Sequence, residues 1–395
     1  IPLPEVDRVA KMIPSIPGKP VTIPEALEKV PRLRELYEST PYLAELIDTA
    51  SKLEGVVRNA GTHAAGVIIT DEPIVEYIPL HRPTGGNHEE SPIGAVTQFE
   101  MQILDSLGLL KVDFLGLSTL TVMARACEMI RERHGVKMDI QSIPVDDPET
   151  YALLGRGDVL GVFQVEGAGM RRYLMEMKPR ELANVIAMVA LYRPGPMDFI
   201  PTYIRRMHGH EKVSYRHPAL ASIFEETYGI PVYQEQIMFA AMEMAGYTPA
   251  EADGLRKAIA KKKARSLKMH RQKFIQGAMQ KGVSREAAAA VFDDWENFAR
   301  YGFNKAHAAD YGVIAVQTAY LKAHYPLEYM TALLSVFKHD SDKVALYIAD
   351  CRRMGIEVLP PDVNASDFDF APEDHGEGRA TIRFGLGAVK NVGQG

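Results

Sequence analysis

At 395 residues the chain is too long for one ordinary domain, and two to four compact units are expected. With 46% hydrophobic and 24% charged residues the composition excludes wholesale disorder; no apolar run approaches a membrane span, and the proline-interrupted opening IPLPEVDRVAKMIP excludes a signal peptide, which points to the cytoplasm. The net charge of −6 excludes a uniformly basic nucleic-acid coat, and two cysteines, Cys127 and Cys351, allow neither a disulfide framework nor a cysteine zinc site.

Residues 1–57 hold short amphipathic segments such as PEALEKV and YLAELIDTASKLEG, separated by Pro17, Pro20, Pro24, Pro31 and Pro41. Proline is tolerated at helix starts and breaks interiors, so this is a small helical unit of several short rods. Over 58–116 the period changes: AAGVIIT, AVTQFE and LLKVDFL are strand-like runs with Gly, Pro and Asn between them, which predicts a small sheet. From Leu117 to about Met354 helical periodicity dominates, as in LTVMARACEMIRER and YGVIAVQTAYLKAHY, and the remainder turns strand-like again with IEVLPPDV and ATIRFGLGAV. The fold class expected is α+β and mainly helical. Both the opening IPLPEVDR and the ending GAVKNVGQG read as cut from a longer chain.

No G-x-x-x-x-G-K-[ST] loop is present, and GRGDVLG at 155–161 lacks the dinucleotide-fold spacing. A nucleotide site must therefore hold phosphates with metal ions and cationic side chains. In LGLLKVDFLGL, strand alternation puts Leu110, Val112 and Phe114 on a face that packs, and Lys111 with Asp113 on the other. Those two charges are expected roughly 6–7 Å apart along the strand, too far for an ideal hydrogen bond but close enough to address one anion or metal ion. A solvated strand face is the alternative.

Between Asp253 and Lys273 nine basic residues stand against a single acid, Asp253. On one helix running from Leu255, Lys257, Lys261, Arg265 and Lys268 share a face, either a clamp for phosphates or a solvated surface. Asp367 and Asp369 in SDFDF imitate a carboxylate pair, but they follow a loop composition and fit an edge strand with Phe368 and Phe370 inward. His208, His210 and His217 lack metal-motif spacing and are expected at the surface. RNAGTHAAGVIIT at 58–70, VALYRPGPM at 189–197, YGIPVYQEQIM at 228–238 and YGFNKAHAADYG at 301–312 mix turn residues with polar ones. Together with the basic helix they suggest a cleft for a polyanion.

These blocks, with LLKVDFLGLSTLT, GVFQVEGAGM, LRKAIAKKK and LKAHYPLEYM, run in one order that resembles the bacterial C-family replicative DNA polymerases. The resemblance implies a thumb at 1–57, the second half of a nucleotidyltransferase-type palm sheet at 58–116, and fingers at 117–395, mostly helical with a strand-like end. It implies primer extension on template DNA from deoxynucleoside triphosphates with two magnesium ions. Asp113 matches the family's third catalytic aspartate, a metal ligand, and Lys111 the lysine that approaches the nucleotide phosphates. Arg256 and Lys257 match a triphosphate-binding pair that is more commonly two arginines, so Lys257 supplies charge without a bidentate fork. Both are expected at the beginning of their helix, near its positive dipole end. Arg193, Asn304 and His307 are further nucleotide-binding candidates, and Lys261, Lys262, Lys263, Arg265 and Lys305 are DNA-binding candidates. The family's other two metal-binding aspartates lie upstream of the thumb in its pattern, so the chain alone is expected to be inactive. In the longer parent, the sliding clamp, proofreading exonuclease and clamp-loader subunits are the implied partners. A non-catalytic DNA-binding module is the principal rival reading; a small-molecule phosphotransferase is a weaker one.

Overall fold

The computed structural model describes residues 1–16, 19–57, 61–83, 94–260, 264–298, 302–376 and 379–392, which divide into two units, Ile1–Gly116 and Leu117–Gly395. Proline starts every helix of the first rods. α1 (Leu3–Ala10) is followed by the short pair β1 (Ser15–Ile16) and β2 (Lys19–Pro20), then by α2 (Ile23–Lys29), α3 (Pro31–Ser39) and α4 (Pro41–Lys52). Each helix carries proline at its first or second position, where the fixed φ suits the opening turn and the missing N–H has no acceptor to lose. Val9, Ala26, Leu33, Leu43 and Ile47 close into one core.

The next segment contains β3 (Gly66–Ile69), β4 (Leu80–His81), β5 (Val96–Thr97), α5 (Met101–Ser106) and β6 (Leu110–Asp113). The expected single sheet is instead two separate antiparallel ladders, β3 with β6 and β4 with β5. The second ladder spans only two residues on each side, and α5, anchored by buried Leu104, interrupts the run before β6. Register pairs Gly66 with Asp113 and Ile68 with Lys111, so these four share one face. The opposite face does not pack as expected: Leu110 is 59% exposed and Phe114 67%, because the ladder has two strands and no described element covers that side.

The second unit runs α6 (Ser118–His134), α7 (Pro148–Arg156), α8 (Ala168–Met177), α9 (Leu182–Leu191), α10 (Ile200–Met207), α11 (Ala221–Phe224), α12 (Gln234–Ala245), α13 (Pro249–Ala260), α14 (Ala264–Gln280), α15 (Arg285–Phe298), α16 (Lys305–His324), α17 (Pro326–Val336) and α18 (Ser341–Arg353). Its end is a mixed sheet of β7 (Val358–Leu359), β8 (Ala371–Asp374) and β9 (Ala380–Arg383), with β9 central. Three cores form, one around α7 to α10 with α16, one around α12 to α15, and one joining α6, α17 and α18 to the sheet.

The basic stretch is not one helix. Leu255, Ile259, Phe274 and Ala278 belong to one core together with Ile237 and Ala241 of α12. A continuous rod from 249 to 280 would extend about 48 Å at 1.5 Å per residue, too far for both ends to bury against α12, so the chain divides into α13 and α14. The expected edge strand at SDFDF is likewise displaced. The chain bends at 368–369 and β8 begins at Ala371, with Phe370 buried and the Lys338 ammonium 4.1 Å from the Phe368 ring centre. Asp369 is held by Arg125 at 2.8 Å and by Lys338, which makes it a structural carboxylate.

Candidate functional site

On β6, Lys111 Nζ donates to Asp113 Oδ1 at 2.5 Å, which corrects the expected separation. Backbone spacing set that expectation, but a lysine stem is long enough to lie along the strand and span it. The bond from Lys111 holds the Asp113 carboxyl below its usual range, against a smaller effect of desolvation. His63 stands on the same side, its Nδ1 4.0 Å from Asp113 Oδ1. That nitrogen accepts the backbone N–H of Gly66 at 2.7 Å and of Ala65 at 3.2 Å, fixing the turn into β3. A side chain at residue 66 would crowd the group: a Cβ there meets Lys111 Cε at 2.7 Å, His63 Nδ1 at 2.9 Å and Asp113 Oδ1 at 3.1 Å. A cleft of about 610 Å³, lined by His63, Gly66, Ile68, Val96, Phe99 and Lys111, opens on this face.

In the second unit three of the turn-rich segments, 189–197, 228–238 and 301–312, and α13 supply a separate constellation. Asp253 Oδ1 accepts Arg256 Nε at 2.9 Å and Nη2 at 2.7 Å, while Asp253 Oδ2 holds Lys257 Nζ at 2.7 Å. Arg256 Nη1 donates to Gln234 Oε1 at 3.0 Å, and Gln234 Nε2 donates to the Gly302 carbonyl at 3.0 Å. Next in chain, the Phe303 ring lies 4.2 Å beneath the Arg193 guanidinium, whose pKa burial lowers. Asn304 caps α16 by accepting the His307 N–H at 2.8 Å and donates to Glu235 at 3.1 Å. The Lys305 ammonium is bound by both carboxylate oxygens of Glu226, at 2.8 and 2.7 Å. The exposed His307 ring packs between Phe303 and Tyr311, at 5.4 and 4.6 Å.

Residues 1–116 match a family model described as Bacterial DNA polymerase III alpha NTPase domain, 119–282 one described as Bacterial DNA polymerase III alpha subunit finger domain, and 355–395 one described as Helix-hairpin-helix motif. The chain is similar to DNA polymerase III subunit alpha of Thermus aquaticus at 51% identity over 100% of this chain, and to that of Deinococcus radiodurans at 47% over 99%. The Bacillus subtilis protein of the same name is 43% identical over 98%. This chain belongs to the bacterial DNA polymerase III alpha subunit family. It spans about a third of the length of these alpha subunits, 32%, 29% and 34% respectively. Where the helix-hairpin-helix model matches, the described residues form β7 to β9 and a short 3₁₀ turn.

The course of α13 corrects the placement of the candidate triphosphate pair. The helix begins at Pro249, so Arg256 and Lys257 lie in its second half, at the negative end of its dipole. An anion there relies on side chains alone. Arg265 is the second residue of α14 and is exposed, with no ion-pair partner among the described residues; Lys261, Lys262 and Lys263 lie outside the described residues. The excess charge of this stretch is reduced from elsewhere in the fold: Arg271 pairs with Asp293 and Glu296, and Lys273 with Glu251.

Sequence reasoning missed His63, Gly66, Asp253, Gln234, Glu226 and Glu235. Asp253 carried a readable signal, since it precedes Arg256 and Lys257 by three and four residues on one helix. A magnesium ion takes near-octahedral oxygen ligands, usually one or two carboxylates with waters and phosphate oxygens. Asp113, ionised and exposed beside the cleft-lining Lys111, suits one such position. A pair of ions is a poorer fit, because among the described residues no group of three His, Cys, Asp or Glu gathers at a point. Among the described residues no helix is long and apolar enough to cross a membrane.

Proposed function

We propose that this chain is part of a template-directed DNA polymerase that adds deoxynucleotides to a primer 3′ end during DNA replication. The observation that carries the reading is the Lys111 and Asp113 pair, placed side by side on the cleft face of β6. In the proposed architecture residues 1–57 are the thumb, 58–116 part of the palm and 117–395 the fingers. Nucleotidyl transfer forms a bond from the primer 3′ oxygen to the α-phosphorus and breaks the bond from that phosphorus to the oxygen bridging to the β-phosphate. Lys111 supplies a cation for the phosphates, and Arg256 and Lys257 bind the triphosphate. Arg193, Asn304 and His307 line the nucleotide, and Arg265 and Lys305 contact the DNA backbone.

Asp113 would hold one of two magnesium ions, whose chemistry is to neutralise charge on the reacting phosphate. Further carboxylates must come from the rest of the full-length alpha subunit, so the chain by itself is proposed to be inactive. The single carboxylate at the site favours a second reading for the isolated chain, DNA binding without chemistry. Sliding clamp, proofreading exonuclease and clamp-loader subunits are the proposed partners of the full-length protein.

The test adds primer-template DNA, deoxynucleoside triphosphates and magnesium to the isolated chain and to a full-length alpha subunit containing it. The full-length protein should extend the primer and lose extension, but not DNA affinity, on Asp113→Asn. The isolated chain should bind the DNA without extending it. Wild-type extension by the full-length Asp113→Asn protein would remove Asp113 from the chemistry.

A further inference from the structure

We propose that Asp253 is a positioning residue for the nucleotide triphosphate, acting through Arg256. The inference rests on the assignment of Arg256 to the triphosphate made above. Asp253 is the only acid in a stretch of nine basic residues, and it is where two of those bases converge. Its Oδ1 takes two N–H groups from one edge of the Arg256 guanidinium, at 2.9 and 2.7 Å, and Gln234 Oε1 takes a third at 3.0 Å. A guanidinium carries five N–H donors in a fixed plane, so three held donors fix that plane and leave two for an anion. Gln234 is itself tied to the Gly302 carbonyl, and its backbone N–H donates to the Phe303 carbonyl at 2.9 Å, so the clamp joins α13 to the start of α12 and to the chain entering α16.

Orientation matters here because the backbone gives no help. Arg256 and Lys257 sit in the second half of α13, where the helix dipole opposes an anion. Two cations against one carboxylate leave a single net positive charge. Lys257 is 62% exposed and can swing from Asp253 to a phosphate, whereas Arg256, 31% exposed and held on two sides, keeps its place. Asp253 thus costs some electrostatic attraction and supplies geometry. A carboxylate that merely competed with phosphate would have the opposite consequence when removed.

Calorimetric titration of the chain with inorganic tripolyphosphate at low ionic strength separates the two. Asp253→Ala should weaken binding about tenfold, the scale of one charge-assisted hydrogen-bonded orientation, while Asp253→Asn, which keeps an acceptor in place, should stay within about twofold of wild type or bind more tightly. In an Arg256→Ala background, Asp253→Ala should add no further loss. Nitrogen-15 NMR supplies a readout independent of affinity: the Arg256 Nε–H signal should persist in wild type and Asp253→Asn and vanish through solvent exchange in Asp253→Ala. Asp253→Ala binding as tightly as wild type, or an undiminished loss in the Arg256→Ala background, overturns the proposal. If Arg256→Ala itself binds tripolyphosphate like wild type, the triphosphate assignment falls first.

Discussion

Lys322 Nζ lies 2.7 Å from Asp350 Oδ2 with only 1% and 4% of the two side chains exposed, a buried ion pair joining α16 to α18. The ammonium also donates to the Leu160 carbonyl at 2.6 Å, so it holds the loop after α7 as well. Burial lowers the Lys322 pKa, and the bond to Asp350 opposes that shift. Removing Lys322 leaves the buried Asp350 carboxylate with Arg353 as its remaining cation, at 2.9 Å, and leaves the Leu160 carbonyl without its ammonium donor. Lys322→Met is expected to cost about 3–5 kcal/mol in urea unfolding, while Lys322→Met with Asp350→Leu should cost clearly less than the single change. A single change that costs under about 1 kcal/mol would show that water reaches the pair.

The Asp113 carboxyl should titrate below the ordinary aspartate range in carbon-13 NMR, because Lys111 donates to its ionised form. In Lys111→Met the midpoint should rise toward the ordinary value. An unchanged midpoint would mean that the two side chains do not meet in solution.

Gly66→Ala should disturb the site and spare the fold. The nearest obstacle to the new methyl group, Lys111 Cε at 2.7 Å, is the end of a flexible side chain that can move. Stability should change by less than about 1 kcal/mol, a small effect for a half-buried strand position whose neighbour can move. The Asp113 midpoint should rise as Lys111 is pushed away; a large loss of stability with no change in that midpoint would contradict this account.

Acid should weaken the second unit through Glu251. Its carboxyl is lowered to about 2 by Lys273 first and then by the Thr248 backbone N–H. Since the folded value lies below the unfolded one, the contribution is complete above about pH 4.5 and is lost as pH falls from there toward 2. Thermal unfolding followed between pH 6 and 2.5 should show a shallower fall for Lys273→Met than for wild type. Parallel curves for the two proteins would assign the acid sensitivity to other carboxylates.

What the sequence by itself determined is local in range. Proline at Pro31 and Pro41 marks helix starts because a fixed φ acts within one turn. Period-two alternation puts Lys111 and Asp113 on one face whatever lies around them. The i,i+3 and i,i+4 spacing that links Asp253 to Arg256 and Lys257 is equally local. Tertiary structure decided what depends on distant partners and on shape. Glu226 reaches Lys305 across 79 residues, and Asp293 reaches Arg271 across 22, so the effective charge of the second unit's basic residues could not be summed from neighbours in sequence. The break between α13 and α14 follows from the need to bury both against one short helix, and the exposed faces of Leu110 and Phe114 from a two-stranded ladder that no described element covers. Alternation says which side chains share a face, but burial depends on whether another element comes to cover it.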